Sequence, residues 1–274
     1  MATIITATDY TEVATNAVYY TCDMAKALNS KVVVVHAYTI PVAFHENPMP
    51  VISLEESKSL AESQMVALVD DLVEKYPGLH IEGSVLYGDI TDNLKEYIKK
   101  YSAWMVVVGN SSTDDAGFWL GSNLMSTLRH LQCPVLAVPA EYKYKHVGKI
   151  TFACDMNNIS EKIPADKLTA IVNRFGSELH VLNVDSKNRH FDPETPYEYA
   201  RLEEMLHNVK PEYHHVENED IDAGIQLFVA ANNMDWLVVV PHRHNFFESL
   251  FHKSHTKAIV KQAHIPLLAL HEVA

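Results

Sequence analysis

The chain carries one pattern twice, and a duplicated chain must be built from a unit that closes its own core. TIITATD from Thr3, a helical stretch and KVVVVHA answer to KITFACD from Lys149, a helical stretch and ELHVLNV. Further on, WMVVVG at Trp104 matches WLVVVP at Trp236, and CPVLAVP at Cys133 matches IPLLALH at Ile265. The copies stand 155 − 9 = 146 residues apart at the first strand and 236 − 104 = 132 apart at the fourth. The difference of 14 falls where residues 38–60 make a longer connection than residues 185–195. A length of 274 residues suits two domains of ordinary size, read as 1–141 and 146–274.

Composition narrows the class. The chain is 47% hydrophobic and 21% charged, as in a globular protein, and its net charge of −13 argues against nucleic acid or an anionic membrane as partner. MATIITATDY lacks the basic and apolar regions of a signal peptide, and no apolar run approaches the roughly 20 residues of a membrane helix. Cys22, Cys133 and Cys154 have neither paired nor metal-type spacing and read as reduced, buried thiols. The expected location is the cytoplasm.

Strand and helix alternate in each copy. Ile4–Ala7 is short and β-branched, and Val32–Val35 is too uniformly apolar for a one-sided strand, so both faces are covered. Between them Val13, Ala14, Ala17, Val18, Met24, Ala25 and Leu28 recur at helical spacing. Ser53 and Glu56 have the form of a capping box for a helix that buries Ala61, Met65, Leu68, Val69 and Leu72; Thr195 and Glu198 repeat it in copy two. A strand at 80–86, a helix at 90–101, the strand Met105–Val108, a helix from Ser122 to about Leu131 and the strand Val135–Val138 complete copy one. Such alternation implies right-handed crossovers and two tandem α/β domains, each a doubly wound parallel sheet. Ligands bind these sheets outside the carboxyl ends of the strands. Asp9 and Gly109, with Asp155 and Pro241 as counterparts, therefore stand where a site is expected.

With these motifs in view the chain resembles a tandem member of the universal stress protein family. The resemblance rests on Asp9-Tyr10 after the first strand, Gly88-Asp89, the Val-Val-Val-Gly ending at Gly109, Gly121-Ser122, and Cys133-Pro134-Val135-Leu136. It implies an adenine nucleotide alpha hydrolase-like fold with strand order 3-2-1-4-5. It also implies that the fifth strands, Val135–Val138 and Leu267–Leu270, pair within the chain as an intramolecular pseudo-dimer. Pairing would cover two otherwise exposed edges.

ATP-binding members of the family carry Gly-x2-Gly-x9-Gly-Ser/Thr after strand four, where glycines admit phosphates and the Gly-Ser pair opens a helix whose N–H groups face the anion. By that resemblance Asp9, Val108, Gly109, Ser112, Gly121 and Ser122 form the candidate adenine-nucleotide site, with ATP and magnesium as the implied ligands. Ser112 replaces the second glycine, the spacer is one residue short, and Asp114 and Asp115 stand in the loop without a Lys or Arg. A carboxylate within several ångströms of a phosphate costs on the order of 1 kcal/mol, a sign that magnesium inverts by bridging the two. Copy two has the opposite mixture: Pro241, His244 and Lys253 stand at the glycine positions, with Arg243 and Ser254 nearby. Asp9 and Asp155 are open to two roles, nucleoside contact or capping of the next helix, and Ser122 and Ser254 read first as caps.

His242, His244, His252 and His255 form the tempting metal cluster, or a patch that charges below about pH 6.5. No Cys or acidic ligand stands at a fixed spacing from them, and 11 of the 16 histidines lie from His180 onward, so no metal site is assigned. Trp104 and Trp236, equivalent across the copies, read as packing, and Phe246, Phe247, Leu250 and Phe251 as core or interdomain contact. No nucleophile elbow, Cys/His pair or acid/base pair is apparent, so no catalytic residue is assigned. Three functions follow as expectations: a non-catalytic stress-response module holding adenine nucleotide in its first half; an interaction module without nucleotide, its pocket filled by Phe118 or Trp119 and its partner an unspecified protein or a second copy of the chain; and, by analogy with nucleotide-binding relatives alone, ATP hydrolysis or phosphotransfer.

Overall fold

The computed structural model of the chain describes residues 1–39, 53–110, 131, 133–154, 163–185, 195–240 and 265–271. In the first half β1 (Thr3–Ala7), α1 (Glu12–Ala27), β2 (Lys31–Tyr38), α2 (Leu54–Lys75), β3 (Ile81–Tyr87), α3 (Ile90–Tyr101), β4 (Met105–Asn110) and β5 (Val135–Pro139) follow in order. The second half repeats the order with β6 (Lys149–Ala153), α4 (Ala165–Phe175), β7 (Glu178–Asp185), α5 (Thr195–Leu206), β8 (Glu212–Glu217), α6 (Ile221–Ala231), β9 (Trp236–Val239) and β10 (Leu267–Ala269).

Local chemistry sets the helix starts. Ser53 Oγ accepts from Glu56 N while Glu56 Oε2 accepts from Ser53 N, so the expected capping box opens α2. Asp89 caps α3 by accepting from the amides of Thr91 and Asp92, which gives the Gly88-Asp89 motif a structural reason. The second expected box rests on Thr195, whose side chain lies outside the described residues, as does the helix expected after Ser122.

The strands join in one sheet of order β3-β2-β1-β4-β5-β10-β9-β6-β7-β8. Each half has the order 3-2-1-4-5, its pairs parallel, and the halves meet antiparallel through β5 and β10. Leu268 pairs with Leu136, Leu267 with Ala137 and Ala269 with Val135. Since Leu268 is also the repeat equivalent of Leu136, the local two-fold axis passes through that pair.

Successive strand residues serve opposite faces. Ile4, Val32, Val34, Met105 and Val107 pack with α1 and α2, and that core continues through Phe152, Leu168, Ile171, Leu202 and Trp236 of the second half. Ile5, Val33, Val35, Val106 and Val108 pack on the other face with Ile90 and Leu94 of α3; Leu182, Leu237 and Val239 do so with Ile225 and Phe228 of α6. Two-sided burial is what the valine run required.

Polar ties cross between the halves. Trp236 Nε1 donates to Tyr20 Oη at 2.8 Å in the buried core, while on the first half's own side Asn16 Nδ2 donates to the carbonyls of Pro139, at the end of β5, and of Tyr142 beyond it. Tyr142 Oη donates to Asp235 O, and Arg174 reaches Ser30 Oγ while its guanidinium lies 4.5 Å over the Trp104 ring. The expectation that both tryptophans are packing residues thus holds, with an added hydrogen-bonding duty for Trp236. Tyr20→Phe removes the acceptor and leaves a buried indole N–H unpaired, which costs about 1–3 kcal/mol. Urea unfolding followed by far-UV circular dichroism is expected to show a lower midpoint with an unchanged slope.

Candidate functional site

The carboxyl ends of β1 and β4 lie side by side, since Thr6 pairs with Val107. From here β2 lies to one side of β1 and β5 to the other side of β4, which is where chain order reverses and ligands enter sheets of this kind.

Just past β1 the chain makes a tight polar turn. Thr8 is buried, Thr8 N bonds Val35 O, and Thr8 Oγ1 accepts from Tyr10 N. Tyr10 takes φ +64°, a left-handed conformation uncommon for a bulky residue. It is held there at both ends: its hydroxyl donates to Ala61 O on α2, and its ring meets His36 with centroids 4.4 Å apart.

Asp9 does not cap α1. The cap is Thr11, whose Oγ1 accepts from Ala14 N, and Asp9 Oδ1 accepts from both Thr11 N and Thr11 Oγ1. Asp9 therefore orients the capping residue, a positioning role one step removed from the one expected. Both bonds fall on Oδ1, and among the described residues Oδ2 takes none.

Gly109 was expected just past a strand ending at Val108, yet β4 runs on to Asn110 because Gly109 pairs with Val138 and Asn110 with Pro139. A Cβ at Gly109 would lie 2.9 Å from Val13 O, closer than real contacts allow. Glycine here lets the first turn of α1 approach β4. Val108 beside it is buried in the core below α3. Ser112, Gly121 and Ser122 lie outside the described residues, as do Asp114, Asp115, Phe118, Trp119, Asp155, Pro241, Arg243, Lys253, Ser254, the phenylalanines from Phe246 and the four histidines from His242. The structure thus brings Asp9 and Gly109 to one end of the sheet and says nothing of the rest of the set.

His36 is the neighbour that sequence reading missed. Its Nδ1 donates to Thr8 O at 2.8 Å, and burial lowers its pKa below the ordinary 6.5, outweighing the opposing effects of that bond and of Asp9. The available signal was a lone polar side chain closing the valine run of β2 at the ligand-facing end of the sheet.

A cleft of about 630 Å³ lies at the other end of the strands, before β4 and β5, lined by Lys95, Lys99, Lys167, Trp104, Cys133 and Ile171. Its three lysines give it cationic character, but it faces the amino ends of β4 and β5, away from Asp9. Burial pushes the Cys22 and Cys133 thiols up to about 12, so neither is a thiolate nucleophile at neutral pH.

Comparison with known proteins follows the same division into halves. The profile of the universal stress protein family matches residues 1–139 and again 146–271. The chain belongs to the universal stress protein family. Among solved structures, a universal stress protein from Archaeoglobus fulgidus DSM 4304 aligns at TM-score 0.73 with 14% identity, over 98% of this chain and 98% of that one. A protein of unknown function from Pseudomonas aeruginosa PAO1 aligns at TM-score 0.61 with 12% identity, over 99% and 93%. A universal stress protein family member from Arabidopsis thaliana, with AMP bound, aligns over 51% of this chain and 92% of its own at TM-score 0.35 and 18% identity.

Two outcomes are expected of this universal stress protein. Gly109→Ala forces α1 off β4 and costs about 1–3 kcal/mol, read as a lower unfolding midpoint, whether or not a ligand binds nearby. His36 protonates less readily in the folded than in the unfolded chain, so the unfolded state gains protons first as pH falls. Stability therefore declines from near pH 6.5 downward, and His36→Gln flattens that part of a pH–stability profile measured in urea.

Proposed function

We propose that this tandem universal stress protein is a non-catalytic binding module of the stress response that holds an adenine nucleotide at the first half's β1/β4 crevice. The observation that carries the reading is the juxtaposition at the chain-reversal point: Asp9, with Oδ2 uncommitted among the described residues, stands beside the glycine-terminated valine run of β4. Ser112, Gly121 and Ser122 complete the site in this reading, supplying the backbone approach and helix N-terminus that phosphates favour. Magnesium accompanies the nucleotide because Asp114 and Asp115 need a bridging cation to tolerate a triphosphate. The buried, protonated thiols fit the reducing cytoplasm proposed as the location. No helix among the described residues is long and apolar enough to cross a membrane.

A second reading has its own support. Val13 explains Gly109 without a ligand, and Thr11 engages Asp9 without one, so the same residues suit an interaction module that has lost nucleotide. Titration calorimetry of the whole chain with ATP and magnesium separates the two. Saturable heat, weakened about tenfold or more by Asp9→Ala and by Gly121→Val, is the expected result. Silence at millimolar nucleotide, or affinity unchanged in both variants, leaves the interaction module as the function.

A further inference from the structure

The edge of the second half carries a group of ligating side chains that the corresponding strand positions of the first half do not. In the parallel pair β7–β8, His180 stands opposite Glu212 and Leu182 opposite His214. Period-two alternation therefore puts His180, Glu212 and His214 on one face of the sheet. Their ligand atoms converge: His180 Nδ1 lies 3.0 Å from His214 Nε2 and 3.5 Å from Glu212 Oε2, and His214 Nε2 lies 3.8 Å from the same oxygen. Ligands bound tetrahedrally at the roughly 2.0–2.1 Å of zinc–nitrogen and zinc–oxygen bonds are separated by about 3.3 Å. The three sides of the triangle, 3.0, 3.5 and 3.8 Å, lie on either side of that spacing. Among the described residues it is the one group of three or more His, Cys, Asp or Glu side chains close enough to share an ion.

The surroundings are graded as such a site needs. His180 is 5% exposed, the His214 ring rests on Phe228 with centroids 4.8 Å apart, and Glu212 sits at the solvent rim. A ligand set closed by two imidazoles and one carboxylate leaves the outward position to water. A separate observation concerns the far side of His180, whose Nε2 is buried and makes no hydrogen bond. If Nδ1 holds a metal, Nε2 must carry the proton, and the carboxylate of Glu178 lies 3.7 Å from it. A carboxylate that closed this gap would accept the Nε2 proton, the contact that steadies histidine ligands from behind the ring.

The duplication supplies an internal control. In the first half β2 and β3 pair in the same register, with Val33 opposite Glu82 and Val35 opposite Ser84. Taking that register across, Val33 corresponds to His180, Glu82 to Glu212 and Ser84 to His214, while Lys31 corresponds to Glu178. In the first half Lys31 closes on Glu82 at 2.6 Å over a fully buried valine. The second half has exchanged the lysine for Glu178, and valine and serine for two histidines, which removes the lysine that engages the edge glutamate and installs the donors together, with Lys149 as the cation that still acts on His180.

We propose that His180, Glu212 and His214 form a binding site for a divalent transition ion of the zinc class, with Glu178 as the positioning residue behind His180. The set is two imidazoles and a carboxylate, which suits borderline ions over calcium or magnesium.

The test uses the whole chain, stripped with a chelator, dialysed, and titrated with zinc alone. The background variant replaces His242, His244, His252 and His255 by alanine, so that those histidines do not obscure the count. Metal analysis is expected to give one zinc per chain in that background, with a rise in Tm on adding zinc because the ion binds the native state. His180→Val and His214→Ser install the first half's own residues, and each is expected to abolish stoichiometric zinc and the Tm rise. Glu178→Gln is expected to keep the site and weaken zinc about tenfold. Far-UV circular dichroism of the metal-free variants checks that the fold is kept; should His180→Val not fold, His214→Ser and Glu212→Ala decide. Zinc retained at full stoichiometry in His214→Ser, or no zinc in the background chain, overturns the assignment. In the latter case the close nitrogens are a hydrogen-bonded histidine pair.

Discussion

The pairing of β5 with β10 is the contact on which the rest of the molecule depends. Each of these strands would otherwise be the open edge of a five-stranded sheet, a row of unpaired backbone groups ready to recruit another chain. Placing them antiparallel about the Leu136–Leu268 pair closes both edges with one self-complementary contact, the geometry a two-fold dimer uses between separate subunits. Within one chain the contact no longer depends on protein concentration, because the second half is always present at the high effective concentration set by its connection. The core of one face then runs through both halves without interruption.

Covalent pairing has a consequence for sequence. A homodimer must satisfy its interface and its ligand sites with one sequence, whereas a tandem chain can place unlike residues on the two sides. The interface shows the result: Trp236 donates to Tyr20 and Arg174 reaches Ser30, each bond joining unlike residues of the two halves. None of these ties is repeated by its own counterpart among the described hydrogen bonds. Asp235 shows the same one-sidedness, accepting from Gly148 N and Lys149 N while pairing with Lys145 at 2.6 Å. Among the described residues the junction is symmetric at the backbone and asymmetric at the side chains.

What was legible in sequence was what depends on nearest neighbours along the chain. The valine runs, the Ser53–Glu56 box and the bounds of α3 follow from spacing and capping chemistry, and the order 3-2-1-4-5 follows from the family resemblance. What escaped depends on residues far apart in sequence. The buried Trp236–Tyr20 bond spans 216 positions, and the approach of Val13 to Gly109 requires the angle at which α1 crosses β4. The four histidines between His242 and His255 stand out in the sequence by their close spacing. His180, Glu212 and His214 converge only when strand register is known, since His180 is 34 residues from His214. Asp9 was a closer miss, because two hydroxyl-bearing or acidic residues compete for a helix start and only geometry shows that Thr11 takes it.

With the inner edges closed, the sheet's exposed margins are β3 and β8, and the two are defended differently. β3 is shielded by α2, whose Met65 and Val69 side chains would lie 2.8 Å from a Cβ at Gly83, and its charge is balanced by Lys31 on Glu82. β8 instead presents Glu212, His214, His215 and Glu217 in six residues, a density of polar groups that discourages strand addition. Edge protection alone accounts for charged residues whose side chains face solvent, such as Glu217. It does not account for His180, which is buried on the inner strand β7 and gains nothing at an edge. A buried imidazole in place of the valine used by the other half gives up apolar packing and needs partners for its ring nitrogens, of which Nδ1 meets His214 and Nε2 makes no hydrogen bond. That requirement ties His180 to its neighbours on β8, and the margin of the second half is better understood as a place where donors were gathered than as one where an edge was blunted.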